Sequence, residues 1–161
     1  GGVGDGWGRV RGAGDWGGWF ETLDSLPDAD VERLRAVYRE GLERGIAEAG
    51  GDASPARLLV DKHPLRVLDL GLINRLFPGA RVIMMIRDPR DVCVSALFQD
   101  LDVNPGMVRF LSLELCAEWY AKVMGFWLRL REMLSIEVLE IRYEDLVGDF
   151  DRWGARLVAL A

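Results

Sequence analysis

Apolar side chains along this chain alternate between two rhythms from about residue 28 onward. From Asp28 to Ala49, the residues Val31, Leu34, Val37, Tyr38, Leu42 and Ile46 recur at the spacing of one helix face. Asp28 is the expected N-cap, and Gly50-Gly51 is the expected stop. After the polar turn Asp52-Ala53-Ser54-Pro55, the short run Arg57-Leu58-Leu59-Val60-Asp61 reads as a buried strand. Helical spacing returns from Leu65 to Phe77, with Leu68, Leu72, Ile73 and Leu76 on one face and Pro78-Gly79 as the end. Ala80 to Ile86 is then nearly continuously apolar, which predicts a parallel strand covered on both faces.

A short helix is expected from Pro89, since proline suits a first helical turn. A long one should run from about Pro105 to Met133, with Phe110, Leu113, Cys116, Tyr120, Val123, Trp127 and Leu130 as its apolar stripe. Ile136 to Ile141 reads as a further strand leading into Arg142-Tyr143-Glu144-Asp145-Leu146, and a last helix starts near Phe150. Strands that alternate with helices make parallel β–α units, so the fold class is α/β. No repeat of solenoid period is present. The first 18 residues are half glycine. Such a stretch loses too much backbone entropy on ordering to form an element, so residues 1–18 are expected to stay outside the folded part, residues 19–161. The Gly12, Gly14, Gly17 pattern is a literal G-x-G-x-x-G. It lacks the preceding strand and following helix of a dinucleotide site, and reads as linker.

Composition narrows the possibilities. At 161 residues the chain suits one domain, and with 50% apolar and 29% charged residues it has ordinary globular balance. No apolar run reaches the ~20 residues of a membrane span. No secretory leader is visible, although the chain opens on glycine rather than methionine. A net charge of −6 argues against nucleic acid, which needs a basic face. A small anion could still be held by a local cluster of Arg, Lys and backbone N–H groups. Cys93 and Cys116 lie far apart in apolar stretches and read as buried free thiols of a reducing compartment. One histidine and no close cysteine pair make zinc a poor fit.

Ligands of open parallel sheets bind at the carboxyl ends of strands. Three expected strand ends carry polar groups: Asp61-Lys62-His63-Pro64, Arg87-Asp88-Pro89-Arg90-Asp91 and Arg142-Tyr143-Glu144. Arg87 leaves its strand where a helix starts, so its guanidinium could meet a phosphate beside free helix N-terminal N–H groups. Ser95, two helical turns on, can add a hydroxyl to the same oxyanion, and Lys62 a point charge nearby.

The same residues carry a family likeness. The segment from Asp61 to Asp100 resembles the sulfotransferases that use 3′-phosphoadenosine 5′-phosphosulfate (PAPS), especially tetratricopeptide-repeat-linked bacterial members and protein-tyrosine sulfotransferases. The matching blocks are Asp61-Lys62-His63-Pro64, Leu76-Phe77-Pro78-Gly79-Ala80, Arg87-Asp88-Pro89-Arg90-Asp91 with Ser95, and Arg142-Tyr143-Glu144-Asp145-Leu146-Val147. They stand in the family's order, and the interval from Lys62 to Arg87 fits without a gap. The resemblance implies a P-loop-NTPase-like parallel sheet flanked by helices and transfer of a sulfuryl group from PAPS to a hydroxyl acceptor. It further implies that Arg87 and Ser95 hold the 3′-phosphate, Tyr143 lies by the adenine, and Lys62 contacts the sulfuryl group or its bridging oxygen. No metal is implied. The family's loop for the 5′-phosphosulfate, at the end of its first strand, has no counterpart here, nor does the glutamate base of the protein-tyrosine branch. The chain is therefore expected to be an incomplete domain lacking that first strand. A bacterial, cytoplasmic protein is expected on the same likeness. The acceptor stays open between a protein tyrosine, a carbohydrate and a small alcohol.

Plainer readings exist for each residue. Arg87 could pair with Asp91, Ser95 could face solvent, Lys62 could be a surface lysine and Tyr143 a half-buried aromatic. His63 is a candidate base because family members carry a histidine near the lysine, and imidazole titrates in the right range. Neighbours in an extended segment point to opposite sides, however, which separates His63 from Lys62. Trp119, Met124 and Trp127 read as core, Arg90 and Asp91 as helix-end electrostatics, and Glu144 and Asp145 as caps of a following helix. Three rivals follow: a non-catalytic adenosine bisphosphate-binding remnant, a kinase-type phosphoryl transferase, and an interaction module built on the long helix. The kinase class needs G-x-x-x-x-G-K-[ST], which the sequence does not contain.

Overall fold

The computed structural model describes residues 16–51, 58–63, 65–99 and 107–160. Within them the chain forms two compact units, one of the described residues up to Asp61 with Gly71–Pro78, and one of the described residues between Lys62 and Leu70 with those from Gly79 onward. The start through residue 15, the turn at 52–57, Pro64 and the expected start of the long helix at Pro105 lie outside the described residues.

The first unit is helical. Helix α1 (Trp16–Asp24) begins inside the stretch that composition assigns to linker, and helix α2 spans Asp28–Glu48. The N-cap of α2 is Pro27 rather than Asp28, with φ −58° and ψ 143°. Proline's fixed φ turns the chain into the helix, while Asp28 and Asp30 place negative charge in the first turn. Gly50 at φ 74° ends the segment in a conformation that favours glycine. Helix α3 (Leu70–Leu76) contributes its later turns to this unit. Arginines tie carbonyls of this unit together: Arg75 donates from Nε to Leu23 O (3.2 Å) in the last turn of α1 and from Nη2 to Leu26 O (3.0 Å) in the link to α2, and Arg35 Nε to Leu76 O (2.6 Å) at the end of α3. Phe20, Leu23, Val31 and Leu76 are the buried apolar residues here.

The expected strand at Arg57–Asp61 is absent among the described residues: 58–63 has no regular structure, and Leu58 and Val60 are 66% and 75% exposed. A strand exists only through a ladder partner, and an apolar run without one stays irregular. The helix expected over Leu65–Phe77 divides into a 3-10 turn, Arg66–Asp69, and α3.

The second unit holds a two-stranded parallel sheet, β1 (Arg81–Ile86) with β2 (Glu137–Arg142). Helix α4 (Pro89–Leu97) follows β1, with Pro89 at its start as the sequence predicts. A 3-10 turn, Met107–Phe110, precedes helix α5 (Leu113–Leu130). Helix α5 starts later than the apolar stripe suggests because the Ser112 side chain caps it, accepting from Leu115 N. After β2 come α6 (Tyr143–Gly148) and α7 (Phe150–Leu160). Only the second of these was legible, since α6 is too short to show a period.

Helix α4 packs on α5, and Cys93 and Cys116 meet at that contact with Cys116 Sγ 3.8 Å from Cys93 O. Both thiols are free and buried, and burial pushes Cys116 up to about 11. Trp127, 0% exposed, anchors α5 to the sheet by donating from its indole to Glu140 Oε1 of β2 at 2.7 Å. Phe126, Leu130, Ile136 and Ile141 complete this core. Strand β1 is not covered on both faces, contrary to its apolar run: Ile83 and Met85 are 49% and 43% exposed. Hydropathy reports that a strand can be buried, while neighbouring elements decide which face is.

Candidate anion site at the strand ends

Strands β1 and β2 pair in register, with Ile86 opposite Arg142. Extending that register past both ends sets Arg87 level with Tyr143 and Asp88 level with Glu144. Both pairs meet. The Arg87 guanidinium carbon lies 4.9 Å from the centre of the Tyr143 ring. The Asp88 N–H donates to Glu144 Oε1 at 2.9 Å. Groups 56 residues apart in the sequence thus meet just past the ends of the paired strands.

Arg87 is held from three sides. Its Nη2 donates to Asp91 Oδ2 in the first turn of α4 (3.2 Å), its guanidinium carbon sits over the Tyr143 ring, and its carbonyl accepts from the Tyr120 hydroxyl of α5 at 3.4 Å. Its Nε is buried with no hydrogen-bond partner among the described residues. An unpaired buried N–H costs about 1–3 kcal/mol, so the guanidinium retains donor capacity that an oxyanion could take up. The side chain is 38% exposed, and the Arg87–Asp91 pair is partly solvated. Such a pair contributes about 0–1 kcal/mol, weak enough for a phosphate to compete with it.

The N-terminus of α4 is not the free donor cluster that the sequence suggests. Asp88 occupies it: its Oδ1 accepts from Arg90 N (2.9 Å) and Arg90 Nε (3.0 Å), and its Oδ2 from Arg90 Nη2 (2.7 Å). Pro89 has no N–H to offer. An incoming anion therefore meets a carboxylate at the helix start, and its favourable approach is along the Arg87 side of α4. Ser95 is exposed on α4 one turn past Asp91, so by helical geometry it continues the stripe that Asp91 begins.

Lys62 and His63 are both exposed in the irregular segment. His63 Nδ1 accepts from Leu65 N at 3.2 Å in a local turn. Among the described residues, no hydrogen bond or ion pair joins Lys62 or His63 to Arg87, Ser95 or Tyr143. The structure thus brings Arg87 and Tyr143 together, sets Ser95 on α4, the helix that follows Arg87, and shows no bond from Lys62 or His63 to any of them among the described residues.

Two contributors escape sequence reading. Tyr120 reads as core stripe, and Glu144 as a cap of the following helix; Glu144 does stand in the first turn of α6, and its carboxylate also accepts from the Asp88 N–H between β1 and α4. The signal for Glu144 is the strand register, which needs the pairing to be known. The Arg90 guanidinium beside Asp88 holds that carboxyl well below the usual carboxylate range. The Asp88 N–H lowers Glu144, which the Arg142 charge also lowers. Because both folded values lie below their unfolded ones, their contribution is complete only above the unfolded carboxyl range, from about pH 6, and is lost as pH falls from there through the folded values. Thermal stability should therefore be flat in these groups from about pH 6 to 8 and decline below about pH 5. Melting curves of the chain and of Asp88→Asn across that range check this; an acid limb of equal steepness in both would remove Asp88 from the account.

Among the described residues, no helix is long and apolar enough to cross a membrane. No curated protein and no solved structure matches the chain. A family model described as Sulfotransferase family matches residues 13–161.

Proposed function

The chain belongs to the sulfotransferase family, and from that premise we propose that it binds PAPS through Arg87 and transfers its sulfuryl group to a hydroxyl-bearing acceptor. The observation that supports this most is the Arg87 guanidinium, partly exposed at the end of β1 with a buried Nε that has no partner. Its fork suits bidentate binding of a phosphate, and Ser95 adds a hydroxyl further along α4. The residues present fit a dianionic 3′-phosphate on that side of the helix. Tyr143, 42% exposed, offers the aromatic surface for adenine.

PAPS supplies a sulfuryl group on a stable leaving group, adenosine 3′,5′-bisphosphate. When the acceptor oxygen bonds to sulfur, the bond from sulfur to the bridging oxygen breaks, its electron pair goes to the departing phosphate, and the acceptor's hydroxyl proton passes to solvent water. Lys62 serves that step by neutralising the developing charge at the bridging oxygen. Exposed in a segment without regular structure, it is free to swing toward a bound nucleotide. His63 is a poor base in this arrangement: with Nδ1 accepting from Leu65 N, the proton of the neutral ring sits on Nε2. Positive charge at the site comes from Arg87 and Lys62. We read β1 and β2, with the flanking helices α4 and α5, as part of a P-loop-like fold and the protein as bacterial on family grounds, and two free buried thiols suit a reducing cytoplasm.

Calorimetric titration with adenosine 3′,5′-bisphosphate and adenosine 5′-monophosphate tests the reading. The 3′-phosphate should tighten binding by at least about tenfold, the value of one charge-assisted contact of this kind. Equal affinity for the two nucleotides, or no binding of either by a chain shown to be folded by circular dichroism, would overturn it.

A further inference from the structure

Arg87 can recognise a phosphate only if its backbone is fixed, and β1 no longer fixes it. The strand ends at Ile86, so the peptide joining Arg87 to Asp88 lies beyond the sheet ladder. A free peptide at that point could rotate and carry the guanidinium with it. Instead both polar ends of this one peptide are engaged by side chains from other elements. The Arg87 carbonyl accepts from Tyr120 of α5 at 3.4 Å, and the Asp88 N–H donates to Glu144 of α6 at 2.9 Å. In a trans peptide these groups point in opposite directions, so the two contacts clamp the plane from both sides. The Glu144 contact is the shorter one and has an ionised acceptor, which makes it the stronger half.

We infer that Glu144 is a positioning residue for the anion site: it holds the Arg87–Asp88 peptide so that the Arg87 guanidinium stands ready for a 3′-phosphate. Glu144 touches no nucleotide in this account and acts only through Arg87, so the inference rests on the reading of Arg87 given above. An acceptor atom is what the contact needs. Glutamine, which keeps a carbonyl oxygen at the same reach, should preserve most of the effect, while alanine should not.

The measured quantity is the ratio of affinities for adenosine 3′,5′-bisphosphate and adenosine 5′-monophosphate, which isolates the 3′-phosphate from overall folding. Glu144→Ala should reduce that ratio by about tenfold, as expected for losing a charged hydrogen bond that orients a binding group. Glu144→Gln should stay within about threefold of the parent ratio. In an Arg87→Ala background, Glu144→Ala should have no further effect on the ratio, because the group it positions is gone. Melting curves of each variant show whether the chain stays folded, and a general loss of stability lowers both affinities together without changing their ratio. If Arg87→Ala lowers the ratio and Glu144→Ala does not, the inference about Glu144 is wrong while the phosphate site stands. If Arg87→Ala leaves the ratio unchanged, the phosphate reading itself is at fault.

Discussion

Replacing Arg87 by alanine should weaken binding of adenosine 3′,5′-bisphosphate by about 30- to 1,000-fold, or about 2–4 kcal/mol, and leave adenosine 5′-monophosphate nearly unaffected. The size follows from chemistry and position together. A planar fork can give a phosphate two parallel N–H donors, and these charge-assisted bonds are roughly twice as strong as neutral ones. The partly exposed side chain keeps the effect below that of a fully buried ion pair. Arg87→Lys separates charge from geometry. Lysine retains the positive charge but loses the fork and the guanidinium whose carbon lies 4.9 Å from the Tyr143 ring centre, so about a tenfold loss is expected. The fold should survive either change, because the Arg87 side chain contributes a partly solvated pair to Asp91 and a contact with the part-exposed Tyr143 ring rather than buried apolar packing. Calorimetry on the three proteins decides the matter, and an alanine variant within about threefold of the parent would remove Arg87 from phosphate binding.

The second large effect concerns stability. Trp127→Ala should cost about 3–5 kcal/mol, because it removes a fully buried ring from the contact of α5 with β2. For a chain of this size that is a fall in Tm on the order of 10 °C. Part of the cost is polar. Glu140 loses its 2.7 Å bond from the indole and keeps only the longer approach of Arg131 Nη1 at 3.4 Å. Trp127→Phe retains most of the ring but not the donor, and should cost about 1–3 kcal/mol. A thermal melt of Trp127→Ala within a degree or so of the parent would show that this helix–strand contact does not stabilise the unit.

Several features were legible in the sequence because they depend on near neighbours. The span of α2, the stop at Gly50, the start of α4 at Pro89 and the apolar runs of β1 and β2 all rest on local propensity and periodicity. The sulfotransferase family was legible for a related reason: short blocks around Lys62, Arg87 and Arg142 keep their order and spacing along the chain. The errors have a common cause as well. Arg57–Asp61 has strand composition, yet the described part of it, with Leu58 and Val60 exposed, finds no ladder partner. Helix α6 is too short for any period to show, and the free N-terminus expected of α4 is taken by Asp88, whose rotamer no pattern reports.

By itself, then, the sequence determined which residue types stand at which element ends, and with them the family and the candidate residues Lys62, His63, Arg87, Ser95 and Tyr143. Only the tertiary structure decided which of these meet. Parallel pairing of β1 with β2 put Arg87 against Tyr143 and Asp88 against Glu144, because a register acts between segments distant along the chain. The same pairing lets Glu144, in the first turn of α6, also hold the Asp88 N–H just past β1. Local periodicity carries information over a few residues, whereas a site assembled from two strand ends exists only once hydrogen bonds between them have set their alignment.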